Sequence, residues 1–408
     1  MILYPTINSN NDKNNIMEFK PKTFDLETAF ETSKRRQMKK FRGRDSPLYT
    51  AIYPAVYIMR IFGFVPYTFS KDRLVPSNTN MIFTFLFFSI YSYNMYTIIM
   101  QFVTSARQKP IVGCTGYIKV ICNYLTTVYS LLLTVMSRNK FVQIWNNMQD
   151  YDDAVRLLGY PQKETKTKIG CWMLILLNIL LWTLVNQSGM YAFNETWFSN
   201  VTYMSVYFGS CMAVYKFIGM TFLLGQRFHH LNQLTKKYIS SKRCNSQQIK
   251  IDIKTIQAWH NELMIDGENL NALFTWAILL WLANLSIHSV SDLYFIIDRL
   301  LNTWDDFHFP SVACLGSWFL ATTSQLLILH ISCDYASTQS SGIGELMIEW
   351  QAYLITKNSL EAPIERSLNY INRKLQFTAA GCFSIELPLI RSIASLVTTY
   401  LVILLQLQ

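Results

Sequence analysis

Polar and aromatic side chains interrupt the longest apolar stretches of this sequence, and they are of types that bind small organic molecules. His288 and Asp292 are four residues apart, so on a helix they share one face and can offer a hydrogen-bonded pair to a ligand. The rings of Trp182 and Trp318 can stack on a sugar ring or an aromatic compound. The predicted pocket residues are Asn123, Trp182, Asn186, Tyr207, His288, Asp292 and Trp318.

A second interpretation of the same side chains stays open. Polar groups inside a membrane are costly unless they are paired or line a wet cavity. Helical membrane proteins also use such groups for hydrogen bonds between helices. Asp292 could pair with Lys119 across the bundle, and the aromatic residues of 192–207 could form the interfacial aromatic belt.

Catalytic signatures are missing from the sequence. It has no GxSxG, HExxH, P-loop or GxGxxG motif, and its six histidines have no metal-ligand spacing. None of the eight cysteines has CxxC spacing. His229 and His230 are expected to be solvated. The sequence therefore predicts neither an enzyme nor a cofactor or metal site.

The composition places these residues in a membrane protein. Apolar residues make up 51% of the 408 residues and charged residues only 15%, against about 25% in soluble domains. The net charge of +10 lies in segments between the apolar runs, which indicates retention on the cytoplasmic side of a membrane and argues against nucleic-acid binding.

Seven apolar runs are long enough to cross a bilayer as helices, and they predict an all-α polytopic fold. The predicted spans are 80–103, 112–136, 168–192, 198–224, 272–297, 310–332 and 377–407. An eighth run, 48–69, contains Arg60 and two prolines, and it is interpreted as an amphipathic or re-entrant segment within the N-terminal region 1–79.

The charge distribution predicts the orientation. With the N-terminus in the cytoplasm and the C-terminus outside, 30 Lys and Arg residues fall on the cytoplasmic side and 3 outside. Two glycosylation sequons begin at Asn194 and Asn200, in or beside the outer loop 193–200. The cytoplasmic connections 225–271 and 333–376 show helical periodicity and form a predicted anchor region between the spans 80–224, 272–332 and 377–408.

The last run differs from the others. As one helix, 377–407 would be about 46 Å long, so Gly381 and Pro388 are expected to break it before it crosses. Tyr400, Ile403 and Leu407 extend one face of the helix. Around a symmetry axis they would form apolar rings that close a pore by dewetting, with Gln406 as a neutral polar ring. The alternative is an ordinary helix that faces lipid or the bundle.

The C-terminal sequence Thr399-Tyr400, five apolar residues and Gln406 resembles the ending of insect gustatory receptors, which are related to insect odorant receptors. The run 377–383 is similar to that family's entry into its last span. This sequence departs at Leu407, where the family usually has Phe and the odorant-receptor branch often has Leu. An odorant-receptor-type subunit is therefore an alternative.

The resemblance implies a ligand-gated, non-selective cation channel in the plasma membrane, with a small-molecule tastant as ligand. It implies a homotetramer, or a hetero-oligomer with related receptors, around four copies of the last span. Monovalent cations and Ca²⁺ would permeate, membrane lipids would surround the spans, and Ile403, Gln406 and Leu407 would act at the gate. A G-protein-coupled receptor would need its N-terminus outside, and a transporter would show paired repeats, which are not seen.

Overall fold

The apolar runs of the sequence become long helices because backbone groups that cross a bilayer must bond within their own segment. The computed structural model describes residues 47–70, 73–104, 110–194, 196–243, 251–302, 309–356 and 373–406. The helices are α1 (Pro47–Ile61), α2 (Asn78–Thr104), α3 (Pro110–Met136), α4 (Arg138–Leu157), α5 (Thr165–Phe193), α6 (Trp197–Arg243), α7 (Ile253–Asn302), α8 (Phe309–Thr356) and α9 (Leu387–Gln406). Two short antiparallel pairs join them, β1 (Tyr67–Ser70) with β2 (Arg73–Pro76) and β3 (Thr378–Ala379) with β4 (Phe383–Ser384).

Six helices in the described part of the chain are long and apolar enough to span a membrane, namely α2, α3, α5, α6, α7 and α8. The shorter α9 is also apolar. The prediction of an all-α polytopic membrane protein is confirmed. We call the end of the bundle where α5 begins the basic end, and the end that carries Asn194, where α5 gives way to α6, the sequon end.

Three predicted spans are shorter than the helices that contain them. α6, α7 and α8 have 47, 50 and 48 residues, so each is about 70–75 Å long against a hydrocarbon core of about 30 Å. At the basic end they continue as unbroken helix into the segments 225–271 and 333–376. The boundary between span and connection is therefore not a break in secondary structure.

The last predicted span, 377–407, begins later than the sequence indicates. Residues 378–384 form the β3–β4 hairpin, whose Ala380 N–H donates to the Thr275 carbonyl of α7 at 3.1 Å. α9 starts at Leu387, with Pro388 in its first turn, where a missing N–H costs no helical hydrogen bond. The break that was expected within 377–407 is therefore a pair of short strands. Leu407, the last residue of the predicted span, lies outside the described residues.

α6 is the central helix of the bundle. In its most apolar window 83% of the residues are buried, against 22–44% in the other five long spans. It packs against α2, α3, α5, α7 and α8. A Cβ at Gly225 would lie 2.7 Å from the Tyr335 ring and 3.1 Å from the Ala336 backbone, so glycine permits the close approach of α6 and α8.

The segment 48–69 enters the bundle and returns to the same end. α1 packs against α5, and Phe62 at its far end stacks on Phe208 of α6 with ring centroids 5.6 Å apart. The chain reverses at Gly63, which has a φ of +76° that L side chains rarely adopt. Tyr67 then stacks on Phe141, at the start of α4, with centroids 5.2 Å apart.

A buried ion triad holds the basic end together. The Arg227 guanidinium on α6 is fully buried and donates to Asp152 of α4 at 2.7 Å and to Glu164 before α5 at 3.2 Å. Burial raises the pKa of Asp152, and the nearby guanidinium opposes that rise. The triad joins three elements that lie far apart in sequence.

The expectation that His229 and His230 are solvated is wrong. His229 Nδ1 lies 2.9 Å from the Gln339 side-chain oxygen of α8, and His230 Nδ1 lies 3.3 Å from the Tyr151 hydroxyl. Burial, followed by the positive charge of Arg227, lowers the pKa of His230 to about 4. His230 is therefore a neutral packing residue near pH 7.

Replacing Arg227 with Met should lower the free energy of unfolding by about 3–5 kcal/mol, because two carboxylates stay buried without their cation. The measurement is thermal unfolding of the detergent-solubilised protein. Arg243→Met is the matched control, since Arg243 and Glu349 are 41% and 47% exposed and their pair should contribute no more than about 1 kcal/mol. Equal losses in both variants would contradict the structural role of the triad.

Candidate ligand-binding site

An ion pair in the sequon half of the bundle is the electrostatic centre of the site. Lys119 of α3 donates to Asp292 Oδ1 of α7 at 2.5 Å, with side chains 9% and 0% exposed. The Lys119 Nζ also lies 5.6 Å from the centroid of the Trp318 ring of α8. Of the two roles considered for Asp292, the structure shows pairing with Lys119, so the two charges neutralise each other inside the bundle.

An aromatic cluster covers the ion pair. The Tyr207 ring of α6 lies 4.6 Å from the Trp318 ring, and the Trp182 ring of α5 lies 5.3 Å from it, edge to face. The Tyr203 and Tyr207 hydroxyls are 3.0 Å apart. Edge-to-face rings pack well and leave flat faces to stack against a ligand. Five helices, α3 and α5 to α8, thus contribute to one site.

Four polar atoms beside the ion pair are buried without a hydrogen-bond partner among the described residues. They are both ring nitrogens of His288, Ser291 Oγ and Asp292 Oδ2. The predicted His288–Asp292 hydrogen bond is therefore not formed, and the His288 ring instead packs against Tyr207 with centroids 5.1 Å apart. Each unsatisfied buried group costs about 1–3 kcal/mol, which a bound polar molecule would recover.

Two of the predicted pocket residues form hydrogen bonds between helices. Asn123 Nδ2 donates to the Val206 carbonyl at 3.0 Å, and Asn123 Oδ1 accepts from Ser210 at 2.8 Å and from Asn284 at 3.2 Å. The Asn186 side-chain oxygen accepts from Asn200 at 3.0 Å. For Asn123 the structure therefore favours the interhelical alternative, which spacing along one helix could not reveal.

A cavity of about 500 Å³ lies next to the aromatic cluster, between α1, α5 and α6. Trp182 and Asn186 line it together with apolar side chains such as Met204 and Phe208. Because Trp182 also contacts Trp318, its indole separates this cavity from the polar cluster around His288.

The two sequon asparagines have different surroundings. Asn194 is exposed at the end of α5, whereas Asn200 is 6% exposed. The Asn200 side-chain amide donates to the Asn186 carbonyl at 2.9 Å. A bulky glycan needs an accessible amide, so the prediction that Asn200 carries one disagrees with the structure.

α9 touches the rest of the chain through one stripe only. Val397 is buried, whereas Tyr400 and Ile403 are 52% and 44% exposed and Gln406 is exposed as well. At the start of the helix Glu386 pairs with Lys374 at 2.9 Å. The predicted pore residues within the described chain, Tyr400, Ile403 and Gln406, therefore lie on the exposed side of α9.

Most of this chain matches a known protein family. The model of the family described as 7tm chemosensory receptor matches residues 52–408 of this chain. The chain belongs to that family. This assignment confirms the resemblance seen in the C-terminal residues, and it confirms that the protein is a multi-pass membrane receptor and not an enzyme.

A curated relative of the receptor is gustatory receptor 68a of Drosophila melanogaster, which is 35% identical over 92 residues. The match spans 22% of the receptor and 22% of that relative. Two solved structures of the insect olfactory receptor OR5 from Machilis hrabei share the fold. Their TM-scores are 0.62 and 0.64 at 12% and 13% identity, each covering 88% of the receptor and 99% of the OR5 chain, and the second is a complex with eugenol.

Sequence reasoning missed several residues that the receptor brings together. The Arg227–Asp152–Glu164 triad joins positions up to 75 residues apart, and no motif connects them. Ser291 follows His288 by three residues, so a search for polar groups at helical spacing could have found it.

Replacing Lys119 with Met should destabilise the receptor by about 3–5 kcal/mol, because Asp292 stays buried as an unpaired charge. The double variant Lys119→Met/Asp292→Leu should lose less than Lys119→Met alone, since both charges are then removed. Thermal unfolding of the purified protein measures both, with exposed Lys140→Met as the control. Additive losses in the double variant would show that the two charges are not coupled.

Proposed function

We propose that this receptor is a ligand-gated, non-selective cation channel that opens when a small organic molecule binds the cluster of Tyr207, His288, Asp292 and Trp318. The observation that carries the proposal is the group of four buried polar atoms without partners beneath an aromatic cluster. Membrane bundles rarely leave polar groups unsatisfied, because each one is costly in a low dielectric.

The chemistry of the cluster favours a neutral ligand with hydrogen-bonding groups and a ring. Lys119 and Asp292 already neutralise each other, so a charged ligand would find no unpaired counter-ion there. The His288 nitrogens and Asp292 Oδ2 can bond hydroxyl or carbonyl groups, and Trp318 offers a ring face. A sugar or an aromatic compound has this chemistry, and the eugenol complex of OR5 supports a small molecule as the ligand class.

The pore of the proposed channel is lined by α9 from each of four subunits. An apolar face that includes Tyr400 and Ile403 has no partner within the described chain, and an oligomer would bury it. Ile403 and Leu407 would form the gate, and Gln406 would line the conducting path. Residues 387–408 hold no Asp or Glu, so monovalent cations would be poorly discriminated and Ca²⁺ would also pass. The tetramer forms from one chain or with related receptor subunits.

Currents recorded from cells that express this chain test the proposal. In excised patches without G-protein cofactors, a tastant panel should evoke currents within milliseconds. His288→Ala and Trp318→Ala should raise the half-activating concentration at least about tenfold, equivalent to about 1.4 kcal/mol, with single-channel conductance unchanged. Gln406→Glu should change conductance or rectification with the half-activating concentration unchanged.

The control for these recordings is His229→Gln, which alters a half-buried histidine at the opposite end of the bundle. Surface-expressed receptor that gives no current in any subunit combination would contradict the channel. Unchanged conductance in a well-expressed Gln406→Glu variant would remove this residue from the pore.

The proposed orientation puts the N-terminus and the basic end in the cytoplasm, with α9 ending outside. The 30-to-3 distribution of Lys and Arg supports it, and so does the exposed Asn194 at the opposite end of the bundle. Asn194→Gln should therefore abolish a glycosidase-sensitive mass shift in expressed receptor, whereas Asn200→Gln should leave it. A shift that survives Asn194→Gln and disappears with Asn200→Gln would contradict this placement.

A further inference from the structure

A second lysine inside the bundle, Lys216 of α6, has only neutral partners. It is 6% exposed, and its ammonium donates to the Phe64 carbonyl at 3.2 Å and to Thr134 Oγ1 at 3.4 Å. The rings of Phe141 and Tyr67 lie 4.4 and 5.2 Å from it. No Asp or Glu in the described parts of the chain forms an ion pair with Lys216, in contrast to Lys119. A buried ammonium without a counter-ion is costly and can bind an anion.

Lys216 lines a cavity of about 330 Å³ between the segment 52–69, Leu74 of β2 and the helices α4, α5, α6 and α8. Among the described residues that line the cavity it is the only charged one, and most of the others are apolar, including Leu174, Leu223 and Ile328. A pocket with one buried charge and apolar walls matches a molecule with one charged head and an apolar body.

The mouth of this cavity lies at two glycines on adjacent helices. Gly170 of α5 and Gly219 of α6 both line the cavity and are exposed, and a Cβ at either would meet nothing within 4 Å. Around them Phe222 and Ile331 are 36% and 48% exposed. Large apolar side chains exposed on a membrane span face lipid, so the cavity opens sideways to the acyl chains of the bilayer.

The Lys216 cavity adjoins the 500 Å³ cavity beside Trp182, since Ala55, Met59, Leu174 and Tyr215 line both. We call these two adjacent cavities the groove. It follows α1, α5 and α6, with Lys216 in its basic half and Trp182 in its sequon half. No charged residue lines the sequon half among those described. The groove thus has a site for an anionic head and an apolar channel for a chain.

We propose that this groove binds an anionic amphiphile, with its carboxylate or phosphate paired to the Lys216 ammonium and its acyl chain extended toward Trp182. A free fatty acid and an anionic phospholipid share this chemistry. The site is separate from the ligand cluster, because Trp182 lies between the acyl channel and His288. Binding at the groove does not depend on the channel proposal.

Photolabelling of the purified full-length receptor tests the proposal. A stearic acid that carries a diazirine is added to receptor in phosphatidylcholine nanodiscs and cross-linked, and labelled peptides are mapped. We expect labels within 47–70, 165–193 and 197–243. Oleate should compete at least about tenfold better than oleyl alcohol, which has the same chain without the charge.

Variants connect the labelling to Lys216. Lys216→Met should reduce labelling at least about tenfold, whereas Lys216→Arg and the exposed control Lys140→Met should retain it. Gly219→Leu should block labelling with the charge intact, since its side chain fills the mouth. Nanodiscs that contain phosphatidylglycerol distinguish a phospholipid from a free fatty acid. Strong competition by this lipid identifies a phospholipid head as the bound anion, whereas no competition identifies a free fatty acid.

Equal labelling of Lys216→Met and the parent receptor would overturn the proposal. Equal competition by oleate and oleyl alcohol, or labels confined to other helices, would also overturn it. If Lys216→Met does not fold, the comparison of oleate with oleyl alcohol and the Gly219→Leu variant decide the matter without it. Because the readout is binding, a receptor without currents would still test the groove.

Discussion

Most polar side chains in the buried part of α6 have no water to bond, because this helix runs through the middle of the bundle. Several of them bond a partner on another element. Asn200 bonds Asn186 of α5, and Ser210 bonds Asn123 of α3. Lys216 reaches the re-entrant segment at Phe64, and Arg227 reaches Asp152 of α4. In a low dielectric an unmade bond is expensive, so these contacts determine where each neighbour of α6 lies.

Several buried polar atoms of the described chain do not meet this requirement, and those of α7 beside the Lys119–Asp292 pair are among them. The polar groups of α3 and α6 are mostly satisfied by neighbouring helices or their own preceding turn, whereas His288 and Ser291 of α7 are not. Lys216 is satisfied only by neutral groups. Each of these positions lies next to an aromatic cluster or a cavity. Both proposed binding sites of the receptor therefore lie where the bundle leaves polar groups incompletely bonded.

α6 and α9 represent two extremes of burial in one chain. α6 is buried over most of its apolar length and needs glycine at position 225 to let α8 approach. α9 is covered along one stripe, and its apolar side chains at positions 396, 400 and 403 are about half exposed. Because apolar side chains are stable against lipid without a protein partner, the proposed assembly around α9 would depend on shape and packing more than on hydrophobicity.

The number and type of the long helices could be predicted from the sequence. Whether a segment of about 20 residues can span a bilayer as a helix depends on the hydropathy of that segment alone. A break near Gly381 and Pro388 was expected, but its form could not be predicted, since the β3–β4 hairpin is held by Asn271 and Thr275 of α7, about a hundred residues away. Four of the predicted pocket residues, Tyr207, His288, Asp292 and Trp318, meet in space, and Trp182 borders them. Their polar groups limited the choice, because polar and ionisable side chains inside a membrane span are rare.

The roles of these residues depended on tertiary contacts. A carboxylate at position 292 can bond a histidine on its own helix or a lysine on α3, and only the packing of α3 against α7 selects Lys119. The same holds for the two lysines inside the bundle, which look alike in sequence. Lys119 faces a carboxylate and Lys216 faces carbonyl, hydroxyl and aromatic groups. The sequence by itself determined that charges enter the membrane, and the helix packing decided which of them are neutralised, because an ion pair requires two atoms within a few ångströms of each other.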